Sequence, residues 1–301
     1  MIAFSWNLFT DLRDMWQYAF MRNAFEAGTI IAVVAGIIGY LVVLRRSAFA
    51  THALGHVGFS GAAAAVLYGV NPVYGLMAFT CSGGAGMALL GRRAASRDIE
   101  IGTVLAFMLG LGLLFLSLYK GYATEAYSIL FGEILGISDA GVVFTLEASV
   151  VVLAVLALIH RPLLFASLDE DVAEAKGLPM LALGLSFMLL LAVAISIAVQ
   201  VIGVLLIFAL MVTPAAVAVR LTKRPLHAVV VSVVVALVST WMGLFISWYV
   251  STSATPYPVS FFIVTIAFGI YVGVRAIEGV ASRLVPPMVP GPGRSDGSSG
   301  A

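Results

Sequence analysis

Residues 27–44 read AGTIIAVVAGIIGYLVVL, an apolar run that contains no charged residue and ends at Arg45 and Arg46. A helix of about 20 apolar residues spans the hydrocarbon core of a membrane. The rest of the chain follows this pattern: of 301 residues, 61% are hydrophobic and 10% are charged, and the mean hydropathy is +1.09. Soluble domains carry about 25% charged residues. The sequence therefore predicts an all-α, polytopic transmembrane helix bundle.

Further apolar segments that are long enough to span a membrane follow this run along the chain. They predict about eight to nine spans within a transmembrane domain at 27–275, namely 27–44, 47–70, 73–91, 101–118, 139–159, 179–198, 200–220, 226–250 and 259–275. The break near Gln200 is weak, so the segments beside it form either one bent pair or a pair that includes a half-helix. Residues 1–26 are expected to form an interfacial amphipathic segment, with a partly disordered N-terminus as the alternative. Residues 276–301 are expected to form a disordered tail.

Lys and Arg residues alternate between successive loops. The loops near 45–46, 92–97, 161–176 and 220–224 are basic, whereas the loops between them are nearly free of positive charge. The positive-inside rule places the basic loops and the C-terminus in the cytoplasm. Nine spans would then place the N-terminus outside, and an even number would place both termini inside.

Two histidines lie four residues apart in the stretch THALGH, residues 51–56. This spacing places the imidazoles of His52 and His56 on one face of a helix. With a rise of about 1.5 Å per residue from Arg46, they lie about 9 Å and about 15 Å deep in the membrane. Neutral imidazole binds zinc and other first-row metals, and a carboxylate could complete such a site. The alternative is a pair of structural histidines that are hydrogen-bonded to backbone carbonyls of neighbouring helices.

The loop before the fifth predicted span is mostly apolar in the stretch YSILFGEILGIS, residues 127–138. We expect this outer loop to dip back toward the bundle. Glu133, between Gly132 and Ile134, could then face a pathway as a metal ligand. The alternative for Glu133 is a solvated loop acid, the interpretation that we favour for the nearby Glu125 and Asp139.

The stretch LDEDVAEAKGLP, residues 168–179, predicts a short acidic helix that stops at Gly177. It lies in the cytoplasmic loop predicted at 160–178, where a polar helix could dock a soluble partner. The alternative is an ordinary surface connector. The candidate docking residues are Asp169, Glu170, Asp171, Glu174 and Gly177.

A proline interrupts the apolar stretch GVLLIFALMVTPAA, residues 203–216. Pro214 predicts a kink inside a span, because proline cannot donate a helical hydrogen bond. Thr213 beside it could contact a passing ion. Packing at the kink is the alternative.

Four segments together resemble the membrane permease subunits of bacterial ABC importers for zinc, manganese and related divalent metals. They occur in that family's order and cover about residues 20–275. The resemblance implies a type II ABC importer-like permease, multi-pass in the bacterial cytoplasmic membrane. The segments are VVLRRSAF (42–49) with the following THALGH, then 127–135, 169–179 and 201–216.

The resemblance also implies partners and site residues. Permeases of this family form a homodimer that works with two cytoplasmic ATPase subunits and an extracellular metal-binding protein. They hold no permanent cofactor; ATP hydrolysis in the partner subunits drives alternating access through the acidic helix. The family's pathway histidine falls on His56, its pathway aspartate on His52, and its loop aspartate on Glu133. Two imidazoles favour zinc as the cargo, with manganese next.

Two other functions stay open. A permease of the same fold for an iron chelate or a vitamin would need a wider pathway and would not need the histidine pair. An intramembrane metalloenzyme would need the motif HExxH, but Ala53 stands at the glutamate position. The chain contains no GxxxxGK[ST] motif, so we predict that it is not an enzyme and that partner subunits hydrolyse ATP.

Overall fold

The computed structural model describes residues 15–90, 97–119, 132, 134–251 and 257–284, and the regular elements within these ranges are all helices. This confirms the predicted all-α bundle. In chain order the helices are α1 (Ala19–Leu44), α2 (Ala48–Leu67), α3 (Pro72–Leu90), α4 (Arg97–Leu118), α5 (Asp139–Leu168), α6 (Glu170–Ala175), α7 (Met180–Ile202), α8 (Val204–Leu221), α9 (Pro225–Val250) and α10 (Val259–Leu284).

Among the described residues, eight helices are long and apolar enough to cross a membrane: α1, α3, α4, α5, α7, α8, α9 and α10. The other long helix, α2, is less apolar because it carries both histidines together with several hydroxyl and glycine residues. Other helices surround α2, which packs against α3, α4, α7 and α8. With α2 as a ninth helix, the count agrees with the predicted eight to nine.

The first helix holds one side of the bundle together, since α1 packs against α5, α7, α8 and α9. Two glycines allow the closest approaches. A Cβ at Gly36 would lie 2.7 Å from the Cα of Val233 on α9, and a Cβ at Gly39 would overlap the carbonyl oxygen of Met211 on α8. Small residues let helix backbones approach closely in a membrane, where packing rather than water exclusion drives association.

Helices α3 and α7 are joined by a buried hydrogen bond. The hydroxyl oxygens of Thr80 and Ser196 lie 2.6 Å apart, and both side chains are buried. The outermost helices are α4 and α10, whose apolar side chains remain exposed: Phe107 is 66% and Phe268 is 61% exposed. Such residues are suited to contact lipid.

The break between α7 and α8 lies at Gly203 rather than near Gln200. Gly203 has φ 81°, a left-handed backbone conformation that residues with a side chain rarely adopt. This single residue separates two distinct helices of 23 and 18 residues, so neither segment is a half-helix. The prediction of the break was therefore three residues early.

The fifth helix continues beyond His160 through Pro162 to Leu168, so much of the loop predicted at 160–178 is helical. The residue four positions before the proline, Leu158, is 82% exposed, so no neighbouring helix crowds the turn that the proline alters.

Both ends of the spanning domain extend further than predicted. α10 runs to Leu284, so residues 276–284 are helical rather than part of a disordered tail. A salt bridge of 3.0 Å between Arg220 and Glu278 connects this extension to α8. At the other end α1 begins at Ala19, so residues 19–26 are continuous with the first spanning helix. The remaining parts of the predicted terminal segments, 1–14 and 285–301, lie outside the described residues.

Candidate functional site

The histidine pair lies on α2, whose alanine-rich sequence favours a helix. His52 and His56 are half-buried, whereas the residues between them and next to them are buried. Their ring centroids are 4.7 Å apart and the ring planes are inclined by 79°. As the spacing predicts, both imidazoles therefore lie on the one open side of an otherwise enclosed helix.

Helix α8 forms a wall beside this pair. Phe208 lies edge-on to His52, with ring centroids 5.1 Å apart and planes inclined by 69°. Gly55 allows the approach of α8, because a Cβ at this position would already lie 3.3 Å from Cγ1 of Val204. The aromatic ring restricts the space in which the imidazole of His52 can turn.

Helix α4 contacts α2 at two points along its length, one before the histidines and one after them. One turn beyond the second histidine, the hydroxyl of Ser60 donates a 2.5 Å hydrogen bond to the carbonyl oxygen of Met108. A Cβ at Gly112 would lie 2.7 Å from the same hydroxyl oxygen. Near the start of α2, the ring of Phe49 would lie 3.8 Å from a Cβ at Gly102. The histidine pair is thus held between two points of contact with α4.

One ring nitrogen of the pair is unpaired. Nδ1 of His56 is buried and has no hydrogen-bond partner among the residues that the structure describes. A buried polar atom without a partner costs free energy, particularly inside a membrane. This nitrogen therefore lacks the backbone hydrogen bond that the structural interpretation expects.

The separation of the rings leaves room for a shared metal ion and is also that of an ordinary edge-to-face ring contact. Two imidazoles that bind one tetrahedral zinc ion through Zn–N bonds of about 2.0 Å would have ring centroids roughly 5 Å apart. The observed separation is 4.7 Å. Within the described ranges, no group of three or more His, Cys, Asp or Glu side chains could hold a metal. A complete coordination shell therefore needs donors beyond this pair.

Gly132, in the apolar stretch before α5, lies against the junction of α7 and α8. Gly132 has φ 77°, and a Cβ there would overlap the carbonyl carbon of Ile202. Val204, two residues further along, in turn approaches Gly55 on the histidine helix. Glu133 directly follows Gly132, but it lies outside the described residues. Its role as a metal ligand stays a prediction.

The acidic helix α6 is closed at both ends by its own sequence. Asp169 caps the N-terminus, since its carboxylate accepts a 3.0 Å hydrogen bond from the backbone N–H of Val172. At the C-terminus, Gly177 has φ 78° and the N–H of Leu178 donates to the carbonyl oxygen of Ala173. This glycine-terminated end is a common helix stop.

One face of α6 is buried and the other is acidic. Ala173 is fully buried and belongs to a small apolar cluster with Ala166 of α5 and Leu183 of α7. Val172 on the outer side of α6 is 42% exposed, and Leu168 at the end of α5 is 63% exposed. The acids on that side are all exposed: Asp169, Glu170, Asp171 and Glu174.

Pro214, where a kink is predicted, lies inside α8, which is helical on both sides of it, and the kink itself stays a prediction. Pro214 is buried, whereas Thr213 is half-buried on the more open side of the helix. Phe208, which contacts His52, precedes Thr213 by more than one turn on α8 and was not among the predicted site residues. An aromatic residue inside an apolar run gives no signal that distinguishes a pathway from a core.

The family comparison agrees with this architecture. The model of the ABC 3 transport family matches residues 17–276. The chain belongs to this family. The resemblance to permeases of divalent-metal ABC importers, which was inferred from four segments, is confirmed at the level of the family.

Two relatives are similar over most of the chain. The chain is 29% identical to the manganese transport system membrane protein MntC of Listeria monocytogenes over 238 residues, which is 79% of this chain and 85% of the relative. It is 31% identical to the probable metal transport system membrane protein of Treponema pallidum over 242 residues, which is 79% of this chain and 90% of the relative.

A solved structure shares the fold. It is that of PsaBC from Streptococcus pneumoniae in complex with Fab, with a TM-score of 0.77 and 24% sequence identity. The alignment covers 89% of this chain and 95% of the solved chain.

Proposed function

We propose that this chain is the permease subunit of an ATP-driven importer of divalent transition metal ions, with zinc favoured and manganese next. The half-buried pair His52 and His56 carries the proposal, because the spacing of its rings leaves room for one shared ion. The buried, unpaired Nδ1 of His56 supports it. Membership of the ABC 3 transport family supports the transport class.

The preference for zinc rests on the chemistry at position 52. The resemblance to the family leads one to expect an aspartate there, and this chain has an imidazole. Manganese prefers oxygen ligands, whereas imidazole suits zinc. The relative from Listeria is named for manganese transport. The histidine pair is therefore the feature that would separate the cargo of this chain from that of such relatives.

Alternating access is the mechanism that this proposal requires. Two copies of the chain form the pathway, an extracellular metal-binding protein delivers the ion, and two cytoplasmic ATPase subunits supply the energy. The basic loops and the C-terminus face the cytoplasm of the bacterial cell. A transport site has to release its ion, so a pair of ligands supplemented by Glu133 and water suits the task better than a closed structural cage. Thr213 and Pro214 border the same pathway.

The acidic helix α6 is the docking element for the ATPase subunits. Its buried face fastens it to α5 and α7 through Ala173. Its exposed acids would attract a basic surface, and its exposed apolar side chains could pack against that surface. The residues that we assign to this coupling surface are Asp169, Glu170, Asp171, Glu174 and Gly177.

Two alternative functions make different predictions for these residues. An iron-chelate or vitamin permease of the same fold would not depend on the histidines, so its uptake would survive their removal. A metalloenzyme would need a general base at position 53, where Ala53 is buried and carries no functional group.

Uptake by reconstituted vesicles tests the proposal. The chain is co-purified with its ATPase subunits, inserted into lipid vesicles that contain ATP on the cytoplasmic side, and supplied with radioactive zinc or manganese and the binding protein. We expect ATP-dependent zinc uptake by the wild type and none by His56→Ala. His227→Ala is the matched control, because this histidine is exposed at the start of α9.

The folded yield and the basal ATPase rate of His56→Ala should match those of the wild type, since the imidazole is half-buried and makes no bond through Nδ1 to the described residues. Metal uptake by His56→Ala at the wild-type rate would contradict a metal role for the pair. Absence of metal uptake by the wild type would contradict the proposed function itself.

A further inference from the structure

The corner between α1 and α2 joins the histidine helix to the cytoplasmic end of the bundle. α1 ends with two backbone hydrogen bonds: the N–H of Ser47 donates to the carbonyl oxygen of Val42, and that of Arg46 donates to Val43. Arg46 adopts φ 54°. This pattern is the standard helix stop with a left-handed residue, so the corner has a defined geometry.

Arg45 reaches from this corner to two other helices. Its Nη1 donates a 3.0 Å hydrogen bond to the hydroxyl oxygen of Ser167 on α5. Its guanidinium carbon lies 5.1 Å from the ring centroid of Phe187 on α7, above the ring face. Phe187 is 1% exposed, so the ring is a fixed surface for this contact. The planar guanidinium makes both contacts at once, which a lysine ammonium could not reproduce.

Both contacts lie next to the acidic helix α6. Ser167 is two residues before Asp169, the residue that ends α5 and caps α6. Phe187 is one helical turn beyond Leu183, which packs with the buried Ala173 of α6. The guanidinium of Arg45 therefore touches the two helices that hold α6 in place.

Two hydrogen bonds connect this corner to the residue that precedes His52. The hydroxyl of Ser47 donates to the carbonyl oxygen of Arg45 at 3.2 Å, and the hydroxyl of Thr51 donates to the carbonyl oxygen of Ser47 at 3.1 Å. Thr51 is fully buried and precedes His52 directly. A displacement of Arg45 would therefore move the first turns of α2.

We propose that Arg45 is the positioning residue that transmits a displacement of α6 to the histidine helix. It links α5 and α7, which flank α6, to the start of α2. The inference rests on the proposed function, because it requires that α6 receives the motion of an ATPase. In this proposal Arg45 does not contact the ion. It acts through its contacts with Ser167 and Phe187 and through the corner between α1 and α2.

The test measures how many zinc ions enter per ATP hydrolysed, in vesicles that contain the complete complex. A variant that only lowers the amount of folded complex reduces uptake and ATP hydrolysis equally, so this ratio does not change. We expect Arg45→Gln to lower the ratio about tenfold, within the range seen for residues that carry coupling. Arg45→Lys should fall between Arg45→Gln and the wild type, because it keeps the charge and loses the planar fork.

Arg46→Asn is the matched control. It removes the neighbouring positive charge and keeps a residue that tolerates the left-handed conformation, and it touches neither Ser167 nor Phe187. We expect its ratio to equal that of the wild type. Ser167→Ala removes a single hydroxyl and should lower the ratio about threefold. It serves as the test if Arg45→Gln does not fold.

Two outcomes would overturn the inference while leaving the proposed function intact. In the first, the wild type transports zinc, but the number of zinc ions per ATP hydrolysed is unchanged in Ser167→Ala and, where it folds, in Arg45→Gln. The other is an equal loss of coupling in Arg46→Asn, which would show that charge at the corner matters rather than the contacts of Arg45. Failure of the wild type to transport zinc or manganese at all would instead contradict the proposed function.

Discussion

Phe208 lies edge-on to His52, with 5.1 Å between the ring centroids, although the two residues belong to helices that are far apart in the chain. The phenyl ring limits the rotation of the imidazole and so helps to hold it toward His56. Partners that orient metal-binding histidines are important for affinity, and their removal lowers metal affinity by about 10- to 100-fold.

We therefore expect Phe208→Ala to raise the zinc concentration for half-maximal uptake about tenfold, with a smaller effect on the maximal rate. Uptake over a range of zinc concentrations measures both quantities. Leu205→Ala is the control, since Leu205 is 52% exposed on the same helix and takes no part in the ring contact with His52. An unchanged concentration dependence in Phe208→Ala would show that the aromatic contact does not orient His52.

A second prediction concerns the choice of cargo. His52→Asp restores the carboxylate–imidazole pair that the resemblance to the family leads one to expect. Because manganese prefers oxygen ligands, the ratio of manganese to zinc uptake should rise, by about tenfold. Competition between the two radioactive ions in one vesicle preparation measures this ratio directly. His227→Asp introduces the same carboxylate at an exposed position and should leave the ratio as it is.

The contact between α1 and α8 gives a prediction about stability. A Cβ at Gly39 would overlap the carbonyl oxygen of Met211, and backbone cannot yield as a side chain can. Gly39→Ala should destabilise the protein by about 2 kcal/mol, a usual result of overpacking. Thermal unfolding in detergent measures the change. Gly110→Ala on α4 is the matched control, because a Cβ there meets nothing within 4 Å. Equal melting temperatures for the two variants would contradict the close contact.

The corner after α1 gives a prediction in which glycine is more stable than alanine. Arg46 adopts φ 54°, where any side chain with a Cβ is disfavoured. Arg46→Gly should be more stable than Arg46→Ala by about 1 kcal/mol, because glycine adopts this conformation without steric cost. The comparison of these two variants by thermal unfolding removes the effect of the lost charge. A more stable alanine variant would show that this residue does not hold a left-handed conformation.

The hydrogen bond between Thr80 and Ser196 gives a prediction about interhelical energy. Such bonds inside a membrane contribute about 0.6 kcal/mol on average. A double-mutant cycle of Thr80→Ala and Ser196→Ala should therefore give a coupling energy of about this size between the two hydroxyl groups. Additive effects of the two substitutions would show that the hydroxyls, 2.6 Å apart in the structure, do not stabilise each other.

Much of the fold could be predicted because it depends on local features. The run at 27–44 is long and apolar enough to span a membrane whatever its neighbours are. The same holds for the acidic helix, whose capping Asp169 and terminal Gly177 lie within the segment itself. The predicted boundaries failed where the tertiary setting matters. The sequence pattern does not show that the turn before Pro162 is free of neighbouring helices, or that Glu278 pairs with Arg220.

By itself, the sequence determined that this is a helical membrane protein and that His52 and His56 share one face of a helix. Hydropathy and the helical period are properties of neighbouring residues, so they can be read along the chain. Only the tertiary structure decided that Phe208 limits one side of the pair and that Arg45 reaches Ser167, 122 residues further along. The first contact depends on the approach of α8 to α2 at Gly55, and packing between distant segments leaves no pattern in a single sequence.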